Sequence, residues 1–77
     1  MKFEKLKQLV IKDYTDFMED MYVDGDMTPN EFKWDMEENT KDLNKCKDFD
    51  DLVGWYCQHG FDEEDAVEKL IGFLIEY

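Results

Sequence analysis

The chain has 77 residues, of which 21 are acidic and nine are lysine, and its formal net charge is −12. A hydrophobic content of 43%, with 16% aromatic residues, is too high for intrinsic disorder and predicts one small folded domain over residues 1–77. Such a negative surface disfavours direct binding to nucleic acid, whose phosphates it repels, and favours a basic protein surface as the partner.

No stretch of the sequence approaches the ~20 apolar residues of a membrane-spanning helix. The lysine-containing N-terminus also lacks the uninterrupted apolar run of a secretion signal. We therefore expect a cytoplasmic protein with no membrane partner, in which Cys46 and Cys57 remain reduced thiols.

A long first helix is predicted from Phe3 to Val23, because apolar residues recur there at gaps of three and four. Leu9 and Met18 are expected to flank the inner stripe of this helix. The predicted stripe consists of Phe3, Leu6, Val10, Tyr14, Phe17 and Met21. Gly25 is expected to end the helix in a left-handed conformation.

A second helix is predicted from the start signal Thr28-Pro29-Asn30-Glu31, which has the form of an N-cap, a proline at the first helical position and a capping box. This helix runs to about Leu43, with Phe32, Met36 and Leu43 facing inward. Trp34 points away from that stripe, so it is either exposed or buried against other parts of the chain.

Two shorter helices follow. Asp48 or Asp50 caps the third, whose inner face is Phe49, Leu52, Val53 and Tyr56, with Trp55 at its edge and Cys57 as a small core residue. Gly60 ends it, and a fourth helix presents Ala66, Val67, Leu70, Ile71, Leu74 and Tyr77. The predicted fold is all-α, a small four-helix bundle of short antiparallel-type helices.

No set of residues in the sequence predicts catalysis or a cofactor, and we expect a protein that is not an enzyme. The segment from Asp20 to Glu31 resembles an EF-hand calcium loop, with Asp20, Asp24 and Glu31 at three ligand positions and Gly25 at the turn. A helix stop followed by a capping box accounts for the same residues. No metal is therefore assigned, and a calcium-responsive helix hairpin stays as an alternative.

Two rows of carboxylates form the main candidate site. Residues of each row follow one another at gaps of three or four and so lie ~5–6 Å apart along one side of a helix. The first row is Asp13, Asp16, Asp20 and Asp24, and the second is Glu31, Asp35, Glu38 and Asp42. We predict that both rows, with Trp34 as an anchor, contact a basic protein surface.

In its small size, its carboxylate rows and its lack of a catalytic set, the chain resembles the small acidic inhibitor proteins of phages, the anti-CRISPR and DNA-mimic types. This resemblance implies an inhibitor that occupies the nucleic-acid-binding surface of a partner enzyme, in the host cytoplasm if the protein is phage-encoded. An immunity protein or antitoxin against a basic nuclease is an alternative.

A structural or assembly role is the remaining alternative. The last turns of the fourth helix are apolar on almost all sides. Phe73, Ile75 and Tyr77 are therefore candidates for the seam of a homodimer.

Overall fold

The structure, a computed structural model, describes residues 2–76. Within that range it contains four helices and no strand: α1 (Phe3–Val23), α2 (Pro29–Asn44), α3 (Phe49–Gln58) and α4 (Glu63–Glu76). The predicted all-α, four-helix class is confirmed. The bounds of α1 match the prediction at both ends, because apolar periodicity defines its start and a glycine its end.

Glycines end α1 and α3 in the same way. Gly25 and Gly60 have φ values of +83° and +91°, which only glycine adopts readily. After Gly25, the amide of Asp26 donates to the Met21 carbonyl. After Gly60, the amide of Phe61 donates to the Tyr56 carbonyl. Both turns are Schellman motifs, which use carbonyls that a helix end leaves unpaired.

The starts of α2 and α3 are fixed by side-chain caps. Thr28 accepts from the Glu31 amide at 3.2 Å, and the Glu31 carboxylate accepts from the Thr28 amide at 3.4 Å, which completes the predicted capping box. At α3, Asp48 rather than Asp50 is the cap, and its carboxylate accepts from the Asp51 amide at 2.9 Å.

Helices α1 and α2 run antiparallel beside one another. Three contacts show this direction, since residues late in α2 meet residues early in α1. The Lys7 ammonium donates to the Asn44 carbonyl, the Asn39 amide donates to the Tyr14 hydroxyl, and the Tyr22 ring lies 4.9 Å from the Phe32 ring. The α3–α4 pair packs against this hairpin, mainly through α1.

The core takes residues from all four helices. Its fully buried side chains include Val10 of α1, Leu43 of α2, Leu52 of α3 and Leu70 of α4. Tyr14 is the last residue of α1 that packs against this cluster. The final turns of α1 therefore extend beyond the main core.

Four predicted side-chain positions are wrong or displaced. Phe17 is exposed whereas its neighbour Met18 is buried, because the inner side of α1 continues from Leu6, Val10 and Tyr14 to Met18 at gaps of four. On α3, Cys57 is exposed, and Trp55, expected at the edge, is buried. The inward face of α3 is thus rotated toward Trp55, which packs between α1 and His59.

One buried cation was not expected. Lys7 is only 6% exposed, and its ammonium donates to the Asn44 carbonyl at 3.2 Å at the end of α2. It also lies 3.5 Å from the Glu4 carboxylate and over the Phe3 ring. A lysine is tolerated here because its methylene stem packs on apolar surface and its charge meets a helix C-terminus.

None of the helices described is long and apolar enough to cross a lipid bilayer.

Candidate functional site

The first acidic row is divided by the fold. Asp16 and Asp20 are exposed on α1, Asp24 is exposed at its C-cap, and Asp16 pairs with Lys12 at 2.9 Å. Asp13 instead faces the protein. Its Oδ2 accepts from the Tyr56 hydroxyl at 3.3 Å and lies 3.2 Å from the Lys69 ammonium. The expectation that Asp13 is presented to a partner with the rest of its row is therefore corrected, because its charge is used within the fold.

The second acidic row is presented more completely. Glu31, Glu38 and Asp42 are exposed on α2, although the Glu31 carboxylate also closes the capping box. Asp35 is half-buried. Because α1 and α2 are antiparallel neighbours, the exposed members of both rows belong to one helical hairpin. We call these exposed members the acidic face: Asp16, Asp20, Asp24, Glu31, Glu38 and Asp42.

Trp34 is exposed, with 64% of its surface accessible. The alternative that it is buried against other parts of the chain is therefore wrong. It lies in a shallow surface depression with Asn30, Glu31 and Asp35. A large exposed indole beside two carboxylates contributes little to the core and is available for contact with another molecule.

A cleft of about 400 Å³ lies between the last turns of α1 and the α3–α4 turn. Three methionines, Met18, Met21 and Met27, line it together with Phe17. Asp13 and Asp35, one member of each acidic row, also line it, as does Lys69. We call this space the methionine cleft.

Five rings form the remaining wall of the cleft. The Trp55 ring stacks on the His59 ring at 4.1 Å, and the Tyr14 ring meets Trp55 edge-on at 5.2 Å. The Tyr56 ring contacts both Trp55 and Phe61 at 5.0 Å. Such packed rings hold one another in fixed orientations, so this wall is preorganised.

A polar network ties this wall to α2. The Asn39 side-chain nitrogen donates to the Tyr14 hydroxyl and to the Asp35 carbonyl, and its oxygen lies 2.7 Å from His59 Nε2. His59 Nδ1 lies 2.7 Å from the Trp55 carbonyl. Both ring nitrogens thus lie within hydrogen-bond distance of an oxygen atom, one of α2 and one of α3, and these contacts fix the orientation of the ring.

Burial sets the chemistry of the two tyrosines in the cleft wall. Desolvation, followed by the nearby Asp13 carboxylate, raises the pKa of Tyr56 far above its usual value. Desolvation, followed by Asp35, also raises the pKa of Tyr14. Both phenols are therefore neutral donors or acceptors near neutral pH.

The residues of the calcium alternative are not assembled into a metal site in residues 2–76. Asp20 lies in the last turns of α1, and the Glu31 carboxylate is engaged with the Thr28 amide. In residues 2–76, no three histidine, cysteine, aspartate or glutamate side chains are grouped so that they could hold a metal ion.

The residues predicted to form a homodimer seam differ in their exposure. Phe73 is half-buried and packs against the core, and Tyr77 lies outside the described residues. Ile75 is exposed, and Ile71 and Leu74 on the same side of α4 are about 40% accessible. An exposed apolar strip is present on α4, but its members are Ile71, Leu74 and Ile75.

The methionine cleft was not predicted from the sequence. Its methionines lie close together in the chain, at positions 18, 21 and 27, and this clustering is the one sequence signal that could have indicated it. The periodicity of α1 instead placed Met21 in the core and Met18 beside it. In the fold, the residues of α1 beyond Tyr14 do not pack against the main core, and Phe17, Met18 and Met21 line the cleft instead.

Comparisons of the chain with protein-family models, with curated protein sequences and with solved structures found no match.

Proposed function

We propose that this protein is a binding protein whose acidic face occupies a basic, nucleic-acid-binding surface of a partner enzyme and inhibits that enzyme. The observation that carries the proposal is the exposed Trp34 beside the exposed carboxylates of α2. Carboxylates on an antiparallel hairpin present fixed negative charge, which speeds association with a basic surface. The indole supplies the apolar contact that slows dissociation.

The charge distribution supports a steering role. Asp20 and Asp24 are exposed at the end of α1, and no lysine lies between Lys12 and these two residues in the sequence. The net charge of the chain is −12. Acidic side chains at a helix C-terminus oppose the helix dipole, so their placement there does not stabilise α1. Because helix stability does not account for these acidic residues, we infer that they contact a basic partner.

The first test is capture of a partner by the immobilised protein from a host lysate, with release by salt or by competing DNA. Recovery of a nuclease or another nucleic-acid enzyme agrees with the proposal and identifies the target. A toxin-like basic nuclease among the captured proteins favours the immunity-protein alternative. If neither salt nor DNA releases any of the captured proteins, both the proposal and the immunity-protein alternative are contradicted.

The second test measures association with the purified partner. The double variant Asp16→Lys/Asp20→Lys is compared with Glu68→Lys/Glu76→Lys, which makes the same change in net charge on exposed positions of α4. We expect the first to lower the association rate constant by about tenfold or more at low salt, and the second to change it much less. Equal effects of the two variants would mean that net charge, rather than the acidic face, governs binding.

The variant Trp34→Ala tests the contribution of the indole to binding separately from that of the carboxylates. We expect this variant to raise the dissociation rate constant and to leave the association rate constant nearly unchanged. Lys33→Ala, at an exposed position next to Trp34, is the matched control.

Self-association through α4 is a second candidate function, favoured by the exposed strip of Ile71, Leu74 and Ile75. Sedimentation velocity of the purified protein over a range of concentrations tests it. A dimer that Ile75→Lys disrupts supports this role, whereas a monomer at all concentrations removes it.

A further inference from the structure

The methionine cleft has an adaptable apolar lining and a volume that can hold a large side chain. Its floor contains flexible, polarisable side chains from Met18, Met21 and Met27, which adapt to apolar groups of different shapes. Its volume of about 400 Å³ is sufficient for one large apolar side chain and its neighbours. The fold of residues 2–76 fills this space with no side chain of its own.

The charges around the cleft indicate which kind of ligand it favours. Asp13 is neutralised by Lys69, but in the described chain no lysine lies within salt-bridge distance of Asp35. The exposed carboxylates of the acidic face belong to the same α1–α2 hairpin as the cleft floor. An apolar depression with a negative surround attracts an apolar group that is flanked by positive charges and repels an acidic lipid or peptide.

We propose that the methionine cleft binds a basic amphipathic segment of the partner, in which a large aromatic or aliphatic side chain stands between lysines or arginines. This inference rests on the proposed function and specifies it, because the acidic face then steers the segment and the cleft takes up its apolar anchor. Binding of an amphipathic helix in an apolar groove is a recurrent mode of peptide recognition.

The structure provides an internal control for a test by nuclear magnetic resonance. Met36 of α2 lies in a separate surface depression with Glu37 and Thr40 and does not line the cleft. With the methionine methyl groups labelled with ¹³C, Met18, Met21 and Met27 report on the cleft and Met36 on the rest of the surface. The probe is a synthetic peptide of leucine, lysine and one tryptophan, roughly 18 residues or five turns long, patterned as an amphipathic helix.

Two control peptides separate the contributions of charge and apolar pattern. One has the same composition in an order without an apolar face, and the other has glutamate in place of lysine. We expect the patterned peptide to shift the three cleft methyl resonances and not that of Met36. The reordered peptide should bind about tenfold or more weakly, and the glutamate peptide should not bind. Equal shifts at all methyl groups, or no shift, overturn the proposal.

A pair of variants tests the same point without labelling. Phe17 is 59% exposed and lines the cleft, whereas Val23 is exposed on α1 outside it. Neither side chain is in the core, so neither change is expected to unfold the protein. We expect Phe17→Ser to weaken the patterned peptide by about tenfold and Val23→Ser to change its affinity by less than about twofold. Equal affinities of the two variants contradict binding in the cleft.

Failure of this inference is distinguishable from failure of the proposed function. If patterned and reordered peptides bind equally and Asp16→Lys/Asp20→Lys weakens both, the acidic face binds basic chains and the cleft does not participate. If the patterned peptide binds the cleft but charge reversal leaves association with the captured partner unchanged, the proposed steering role is wrong. Binding of the glutamate peptide as tightly as the lysine peptide would refute the charge selection.

Discussion

The Tyr56 hydroxyl donates a hydrogen bond to Asp13 Oδ2 at 3.3 Å, and this contact joins α3 to α1 across 43 positions of the sequence. Lys69 of α4 completes the arrangement, 3.2 Å from the same oxygen. A carboxylate that the sequence assigns to an exposed row therefore connects three helices. The contact also sets the position of the Tyr56 ring, which forms part of the cleft wall.

This contact predicts a loss of stability at alkaline pH. Burial and then Asp13 raise the pKa of Tyr56 in the folded protein, whereas in the unfolded chain the phenol ionises near its ordinary pKa of about 10. The unfolded state therefore loses its proton first, and the free energy of unfolding falls as the pH rises above about 10. Urea denaturation at a series of pH values measures this fall, to which Tyr14 also contributes in the same direction.

Replacement of Tyr56 by phenylalanine tests the assignment. We expect Tyr56→Phe to reduce the alkaline loss of stability and to lower the free energy of unfolding by about 1 kcal/mol at neutral pH, where one hydrogen bond is lost. Tyr22→Phe, near the end of α1, is the matched control and leaves the Tyr56 contact in place. An unchanged alkaline slope in Tyr56→Phe would show that another group is responsible.

The contact between His59 and Asn39 predicts a coupled effect on stability. It joins α3 to α2 at 2.7 Å, between helices that otherwise meet over a small area. We expect His59→Ala and Asn39→Ala each to lower the free energy of unfolding by about 1 kcal/mol. The double variant should lose less than the sum of the single losses, and denaturation of all four proteins gives this coupling free energy. Strict additivity would mean that the contact does not stabilise the fold.

The burial of Lys7 predicts an unusually large effect of replacing a lysine. Lys7→Ala removes both the packing of the methylene stem and the hydrogen bond to the Asn44 carbonyl, and we expect a loss of about 1–2 kcal/mol. Lys7→Met keeps most of the packing and should lose less. Lys5→Ala, at an exposed position of the same helix, should change stability by less than about 0.5 kcal/mol.

The two cysteines are predicted to differ in reactivity. Cys57 is exposed, whereas Cys46 is buried, and desolvation followed by Asp51 raises the pKa of the Cys46 thiol. Because the thiolate is the reactive form, we expect a maleimide to modify Cys57 first and Cys46 only when the protein unfolds. Mass spectrometry of peptides from briefly treated native protein identifies the modified residue. Equal labelling would contradict the burial of Cys46.

The local rules of helix formation account for the features that were predicted correctly. The apolar periodicity from Phe3, the stop at Gly25 and the capping box at Thr28 each depend on residues within a few positions of one another. Such signals lie within one short segment of the sequence, since the backbone hydrogen bonds of a helix join residues four positions apart and its caps lie at its ends. Errors arose where the environment of a side chain depends on a distant helix, as at Phe17, Cys57 and Trp55.

The helical class, the four segments, the capping box of α2 and the excess of negative charge follow from the sequence. The contacts of Asp13 with Tyr56 and Lys69, the exposure of Trp34 and the cleft between the last turns of α1 and the α3–α4 turn depend on tertiary packing. The main core takes no residue of α1 beyond Tyr14, although Met18 is buried and the Tyr22 ring contacts the Phe32 ring of α2. How far the core extends along α1 depends on packing among all four helices and is not contained in the periodicity of any one of them.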